Sequence, residues 1–322
     1  MGLGPGASLI SARALPQSPH FLLRPLADGV YVAFATETGA ATCNAGIVDL
    51  GDATLVFDTF LTPQAGAALR AAAEALTGRP VDYVVNSHYH NDHIRGTQEF
   101  RGAAVIASEQ TRDLIATKGA EETRWDSEVL PQRRALWEEQ LRAATDPQEQ
   151  RELALWVAYG RAILESLPGL RLVLPQLTFK HRLTIHGPAR RVELIALSGH
   201  TPDDVVMVLP EDGIAFLADL LFVRMHPYLA DGDPDLWLAS LEDIERCGAT
   251  TLVPGHGPLG TAADIAQLRR YIAAVQETAR SLIDSGRGPE GVLPIPRAFR
   301  RWGFSRFYAA NVRFVWERTR AT

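Results

Sequence analysis

Cysteine is nearly absent: the 322-residue chain holds two, Cys43 and Cys247. They lie far apart and match no metal-ligand pair spacing, which argues against a disulfide framework and a cysteine-based zinc module. Both read as buried free thiols, and that usage points to a reducing compartment. Long apolar runs are also missing. No window reaches about eighteen consecutive apolar residues, so no transmembrane helix is expected. No Lys/Arg block of five or more occurs, and the formal charge is −6. The basic clusters, Arg133-Arg134 and Arg297 to Arg301, are short or mixed with apolar residues. A dedicated nucleic-acid binder is disfavoured on that ground. The first twenty residues, rich in Gly, Pro and Ser, show no charged region ahead of a long apolar stretch, as a secretory leader would. Position 6 is Gly rather than Ser or Thr, which removes a lipidation reading of Met1-Gly2. The expectation is a cytoplasmic protein with a small-molecule substrate, no nucleic-acid partner and no membrane partner. The oligomeric state stays open.

What is present is an ordinary globular composition, 46% hydrophobic and 22% charged, with enough apolar residues for a sizeable core. Residues 1–20 read as a flexible lead-in. Strands are expected at 29–34, 44–50, 54–58, 81–85 and 103–107. Residues 64–77 are Ala-rich and read as a helix stopped by Gly78 and Pro80. Residues 109–168 differ: charged residues, Leu, Ala and Trp recur at helical spacing. Trp125, Leu130, Leu136, Trp137 and Leu141 suggest one segment, and Leu153 to Ile163 another. Asp146-Pro147 supplies a cap and a first helical residue between them. This stretch reads as a helical insertion into a single domain spanning 1–322, serving as a lid or a dimer surface. Strands return at 170–174, 177–179, 183–186, 192–196, 205–209 and 214–218. A helix at 235–246, a short strand at 251–253 and a long helix at about 261–285 follow. That order suggests two mixed β/α halves packed sheet on sheet, with helices outside.

The chemistry concentrates where the strand 81–85 ends. The run His88-Tyr89-His90-Asn91-Asp92-His93 places three of the chain's nine histidines and one carboxylate in six residues. In an extended exit, His88 and His90 share a side, Asp92 continues the alternation, and His93 points elsewhere. One loop can thus offer two imidazoles to one metal, and a carboxylate plus an imidazole to a second. Further on, His200, Asp219 and His256 each sit where an expected strand gives way to a loop. Glycines flank His200 and His256 and permit sharp turns.

These residues together resemble the metallo-β-lactamase superfamily. The resemblance runs from about residue 28 to 275, interrupted by the unusual stretch 109–168. It implies an α/β fold, a four-layer αβ/βα sandwich with a dinuclear site at one edge. It further implies that His88, His90 and His200 hold one metal, and that Asp92, His93 and His256 hold the other. Asp219 would bridge the two, and Asp58 would orient a ligand histidine. Two divalent ions are implied, zinc first, with iron or manganese suited to the same N/O donors.

The implied activity is that of a metal-dependent hydrolase. A dinuclear-site hydroxide would act on a small-molecule ester, thioester, lactone or lactam, with Asp92 as the catalytic group that orients it or moves a proton. The alternative is a phosphodiesterase or nuclease of the same fold. A non-catalytic metal-stabilised protein fits less well, because structural zinc sites are closed four-ligand sites. Ser87 and Ser198 read as loop supports. Arg224, His226 and Tyr228 follow Asp219 closely and are the candidate substrate contacts. Arg300-Arg301-Trp302 and Phe307-Tyr308, near the C-terminus, read as packing on the sandwich first and as pocket lining second.

Overall fold

Two sheets account for the core. The computed structural model describes residues 14–37, 40–291 and 293–321; most of the expected lead-in, residues 1–13, lies outside them. The first sheet has seven strands in sequence order: β1 (Phe21–Ala27), β2 (Val30–Ala35), β3 (Ala45–Asp49), β4 (Thr54–Phe57), β5 (Tyr83–Val85), β6 (Ala104–Ser108) and β7 (Leu177–Phe179). β1 to β4 pair antiparallel and β4 to β7 parallel. The second sheet contains β8 (Arg182–His186), β9 (Arg191–Ala196), β10 (Val205–Leu209), β11 (Ile214–Phe222) and β12 (Thr251–His256), in the order β12-β11-β10-β9-β8.

Val48, Leu55, Phe57 and Val85 of the first sheet meet Leu194, Met207 and Phe216 of the second in one buried layer. The sheets approach closely at Gly46, where a Cβ would lie 2.6 Å from the Phe216 ring. Truncating a fully packed ring such as Phe216 costs about 3–5 kcal/mol. Outside the first sheet lies α1 (Pro63–Thr77). Thr62 caps its N-terminus, Pro63 starts it, and Gly78 ends it at φ 75 in the left-handed region. Outside the second sheet lie α7 (Pro234–Arg246), α8 (Ala262–Asp284) and α9 (Phe307–Ala321), packed on Leu217, Leu221 and Leu252. Helix, sheet, sheet, helix is the expected four-layer αβ/βα sandwich.

The stretch after β6 is helical, as its spacing suggests, and forms the crossover from β6 to β7. A four-residue turn, α2 (Asn91–Ile94), precedes β6, so the crossover helices are α3 (Glu109–Leu114), α4 (Ala120–Glu128), α5 (Leu130–Ala143) and α6 (Pro147–Ser166). Asp146 caps α6 with its carboxylate on the Gln148 and Glu149 amides. Trp125 and Leu136 do not share one helix. The chain turns at Val129, and both side chains are exposed. Buried Arg95 pairs with Asp126 of α4, tying the insertion to the histidine loop.

Three expectations change. Residues 170–174 form no strand, because Leu172 and Leu174 pack on Tyr89, Ile94 and Ile115. β11 runs on through Asp219 to Phe222, and β12 through to His256. β1 and α9 emerge from stretches to which periodicity assigned no element. Of the two cysteines, Cys43 is buried and Cys247 only partly so; both are free.

Candidate metal centre

β4 and β5 run parallel and end together, with Phe57 opposite Val85. Asp58 therefore leaves the sheet beside Ser87. It holds φ 60, costly for a non-glycine residue. Its carboxylate accepts the Ser87 amide at 2.8 Å and the Ser87 hydroxyl at 2.9 Å, and receives the His93 ring Nδ1 at 2.8 Å. The second sheet reaches the same edge through Asp219. Ala218 has φ 43, and the β11–β12 register shifts on both sides of it. That irregularity aims Asp219 at the histidines. Gly255 makes room for it, since a Cβ there would lie 1.9 Å from Asp219 Oδ1.

The structure brings His88, His90, His200 and Asp219 together, with donor atoms within 4.8 Å of one another, and does the same for His93, Asp219 and His256. The two carboxylate oxygens of Asp219 divide between the groups. Oδ2 lies 3.2 Å from His200 Nε2 and 3.9 Å from His88 Nε2. Oδ1 lies 3.2 Å from His93 Nε2 and 3.3 Å from His256 Nε2. Asp92 Oδ2 joins the second group, 3.4 Å from His256 Nε2 and 3.8 Å from His93 Nε2.

Hydrogen bonds on the far side of each ring set the tautomers. Ser87 Oγ donates to Asp58, so it accepts from His88 Nδ1–H at 2.9 Å. His90 Nε2–H donates to Asp231 at 3.0 Å, and His200 Nδ1–H to the Tyr228 carbonyl at 2.9 Å. In the neutral rings this leaves lone pairs on His88 Nε2, His90 Nδ1 and His200 Nε2. These nitrogens meet at 3.1 and 2.9 Å. Lone pairs so close repel unless a cation sits among them. His93 Nε2 and Asp219 Oδ1 are likewise buried without a hydrogen-bond partner among the described residues. The donor set fits divalent metal.

The electrostatics agree. Burial lowers His200 to about 3 and, with His93 and His90, holds His88 well below its usual value. Burial opposes charge on His90 too, yet Asp231 and neighbouring carboxylates raise it to about 9, so this point attracts positive charge. Burial alone would raise Asp219; His256, His93 and His200 outweigh it and keep the carboxyl well below its usual range.

The other expected contacts fare differently. Tyr228 stays beside the centre, its ring 6.5 Å from that of His90. Arg224 is exposed, and its carbonyl accepts the Gly303 amide. His226 is corrected: it is fully buried, with Nδ1 on the Tyr271 hydroxyl and Nε2 on the Phe299 carbonyl, both at 3.1 Å. With both nitrogens taken, it serves packing rather than substrate. Sequence reasoning missed Asp231, which carries no spacing relative to His90. It also missed the place of Cys43, whose thiol donates to the Asp92 carbonyl at 2.9 Å. Burial pushes that thiol up to about 12, so it is neutral.

Comparison with known proteins matches residues 38–256 to the family model of the metallo-beta-lactamase superfamily. A linear primary-alkylsulfatase of Pseudomonas sp. is 22% identical over 228 residues, 66% of this chain and 40% of that protein. The match thus spans well under half of the relative's length. Among solved structures, a metallo-beta-lactamase from Pontibacter korlensis aligns with TM-score 0.58 and 19% identity, covering 79% of this chain and 99% of the other. A metallo-beta-lactamase from Pseudomonas aeruginosa, in a mono-zinc form, aligns with TM-score 0.57 and 18% identity over 81% and 98%. At such identities these structures speak for the fold, while the family match covers most of the chain and includes every candidate ligand. The chain belongs to the metallo-beta-lactamase superfamily.

Proposed function

We propose that the chain is a metal-dependent hydrolase with a dinuclear centre that cleaves a small-molecule ester, thioester, lactone or lactam. The observation that carries this reading is Asp219, which turns one oxygen to the His88–His200 side and the other to the His93–His256 side. His88, His90 and His200 would hold the first ion, and Asp92, His93 and His256 the second, with Asp219 shared. Zinc suits the donors best; iron and manganese accept the same set. Bound there, the ions supply Lewis acidity and lower the pKa of water toward neutrality.

The protein's own part is positioning. Asp58, Ser87, Asp231 and the Tyr228 carbonyl fix four imidazoles before any ion arrives. Burial of His88, His93 and Asp219 excludes bulk water and strengthens each electrostatic contact. Among the candidate ligands, only His90 and Asp92 retain appreciable side-chain exposure, 12% and 14%. The reacting group would enter beside them, and the remaining oxygen of Asp92 can take and return a proton there.

The test is metal analysis of purified protein followed by a turnover panel. The panel holds a carboxylic ester, a thioester, a lactone, a lactam and a phosphodiester. A primary alkyl sulfate joins them, because one relative is named for that substrate. Turnover of a member of the first four classes supports the reading. Turnover confined to the phosphodiester would replace it with the phosphodiesterase reading, and turnover confined to the alkyl sulfate would move the substrate to sulfate esters.

A further inference from the structure

Above the metal centre stands a frame of aromatic side chains drawn from three places in the chain. Tyr228, whose ring is 6.5 Å from that of His90, contacts Phe307 at 5.4 Å. Phe307 contacts Trp156 of α6 at 5.6 Å, and Trp156 contacts Tyr159 at 5.7 Å. Tyr159 returns to the histidine loop, where its hydroxyl accepts from Asn91 Nδ2 at 3.4 Å. Phe304 closes the other side, 5.7 Å from Trp156 and 5.9 Å from His256. The frame therefore reaches a histidine of each proposed metal group.

Three observations separate this frame from ordinary packing. All five residues are only partly buried, and Trp156 and Tyr159 border the small buried cluster of Leu61, Leu130, Trp137 and Ile163 rather than the three main ones. Phe304 holds φ 60, a conformation that a bulky residue adopts at a cost, and it carries its ring to His256 in doing so. Trp156 Nε1 is buried with no hydrogen-bond partner among the described residues. A buried indole N–H ordinarily has one.

We propose that this frame is the substrate subsite for an uncharged apolar limb, aryl or medium-chain alkyl, and that Trp156 determines that specificity. The inference rests on the hydrolase reading given above and names the substrate class for the same site. Ring faces and edges supply contact area for the limb. The Trp156 N–H, sealed within the frame, would donate to an acceptor oxygen next to the limb where a neighbouring ring moves aside. The Arg306 guanidinium lies over the Trp156 and Trp137 rings at 5.2 and 5.8 Å, which braces Trp156 and occupies that cation with π contacts. Phe304 and Phe307 lie beyond the segment 38–256 that matches the family model, whereas Trp156, Tyr159 and Tyr228 lie within it, so the subsite joins a C-terminal part of its own to the shared segment.

The test uses the full chain. Steady-state rates are measured on p-nitrophenyl acetate, butyrate and octanoate for wild type, Trp156→Phe, Trp156→Ala and Phe307→Ala. Calorimetry measures binding of 4-phenylbutanamide, a neutral probe that carries no ester, with metal content and thermal unfolding recorded alongside. The expected result is a kcat/KM at least tenfold higher for octanoate than for acetate in wild type. Trp156→Ala and Phe307→Ala flatten that gradient mainly through KM and weaken amide binding at least tenfold, with metal content unchanged. Trp156→Phe keeps the gradient. Equal amide binding by folded wild type and Trp156→Ala, or a flat wild-type profile, overturns the subsite. Amide binding that is lost in Trp156→Ala, with no turnover of any ester, sinks the ester hydrolase reading and leaves the subsite standing.

Discussion

Asp231 accepts a hydrogen bond from His90 Nε2 at 3.0 Å, and that single contact turns the other nitrogen of His90 toward His88 and His200. Asp231 is held in turn by a tight loop. A Cβ on its neighbour Gly232 would lie 2.0 Å from the Gly199 carbonyl, so the loop sits directly against the segment that carries His200. Asn311 of α9 grips the same loop, accepting the Leu229 amide at 3.0 Å and donating to the Pro227 carbonyl at 2.7 Å.

Replacing Asp231 by Asn should weaken the first metal position by roughly 10–100-fold while leaving the fold intact. Competition with a graded chelator reads this directly. One class of bound metal should shift and the other should hold. Unchanged affinity of both classes would show that His90 keeps its orientation without the carboxylate.

Gly255→Ala should displace Asp219, because backbone of the facing strand as well as the carboxylate crowds the new methyl. Activity should fall by about a hundredfold or more, in keeping with a misplaced reacting geometry. Metal content should fall with it. Circular dichroism should stay near wild type, since the strand ladder on either side is unaffected. Full activity in this variant would contradict the close approach.

Asp126→Ala should destabilise the protein by about 3–5 kcal/mol, because Arg95 is buried and would lose its partner. Urea unfolding measures it. Replacing Arg95 and Asp126 together by apolar residues of similar volume should cost far less. A loss below about 1 kcal/mol for Asp126→Ala would show that another group neutralises Arg95.

Stability should fall in mild acid through His226. Burial lowers it to about 4, only partly offset by its bond to the Phe299 carbonyl. The unfolded imidazole takes up its proton near 6.5, before the folded one does. The stabilisation is therefore complete above about pH 6.5 and is lost as pH falls through about 4, amounting to roughly 3 kcal/mol. The titratable groups facing His226 are the Tyr271 and Tyr308 phenols. Burial raises both, so neither titrates in that window. Unfolding free energies of wild type and His226→Gln between pH 7 and 4 test this. The difference should lie in the slope, and parallel curves would refute it.

The histidine run was legible because four ligand-type residues in six, placed directly after an apolar strand, have few other uses. His200, Asp219 and His256 were legible because each is local to a strand end. The positions of Asp219 and His256 within longer strands were not, since a bulge at Ala218 leaves no periodic mark. Tyr228 was legible by its closeness to Asp219, but Asp231 and the meeting of the aromatic frame were not, for a different reason. Trp156, Tyr228, Phe304 and Phe307 meet only when the insertion and the C-terminal segment fold over one edge, and no spacing along the chain encodes that. β1 was missed because its alternation is broken at Arg24 and Pro25, on an edge strand where burial is slight.

If Asp219 is shared between two metal positions, removing it should disturb both. Metal content per chain, measured after reconstitution and exhaustive dialysis for wild type and Asp219→Ala, tests it most directly. About two ions are expected per wild-type chain and at most one, weakly held, in the variant. About one ion in wild type, with no change on removing Asp219, would contradict it.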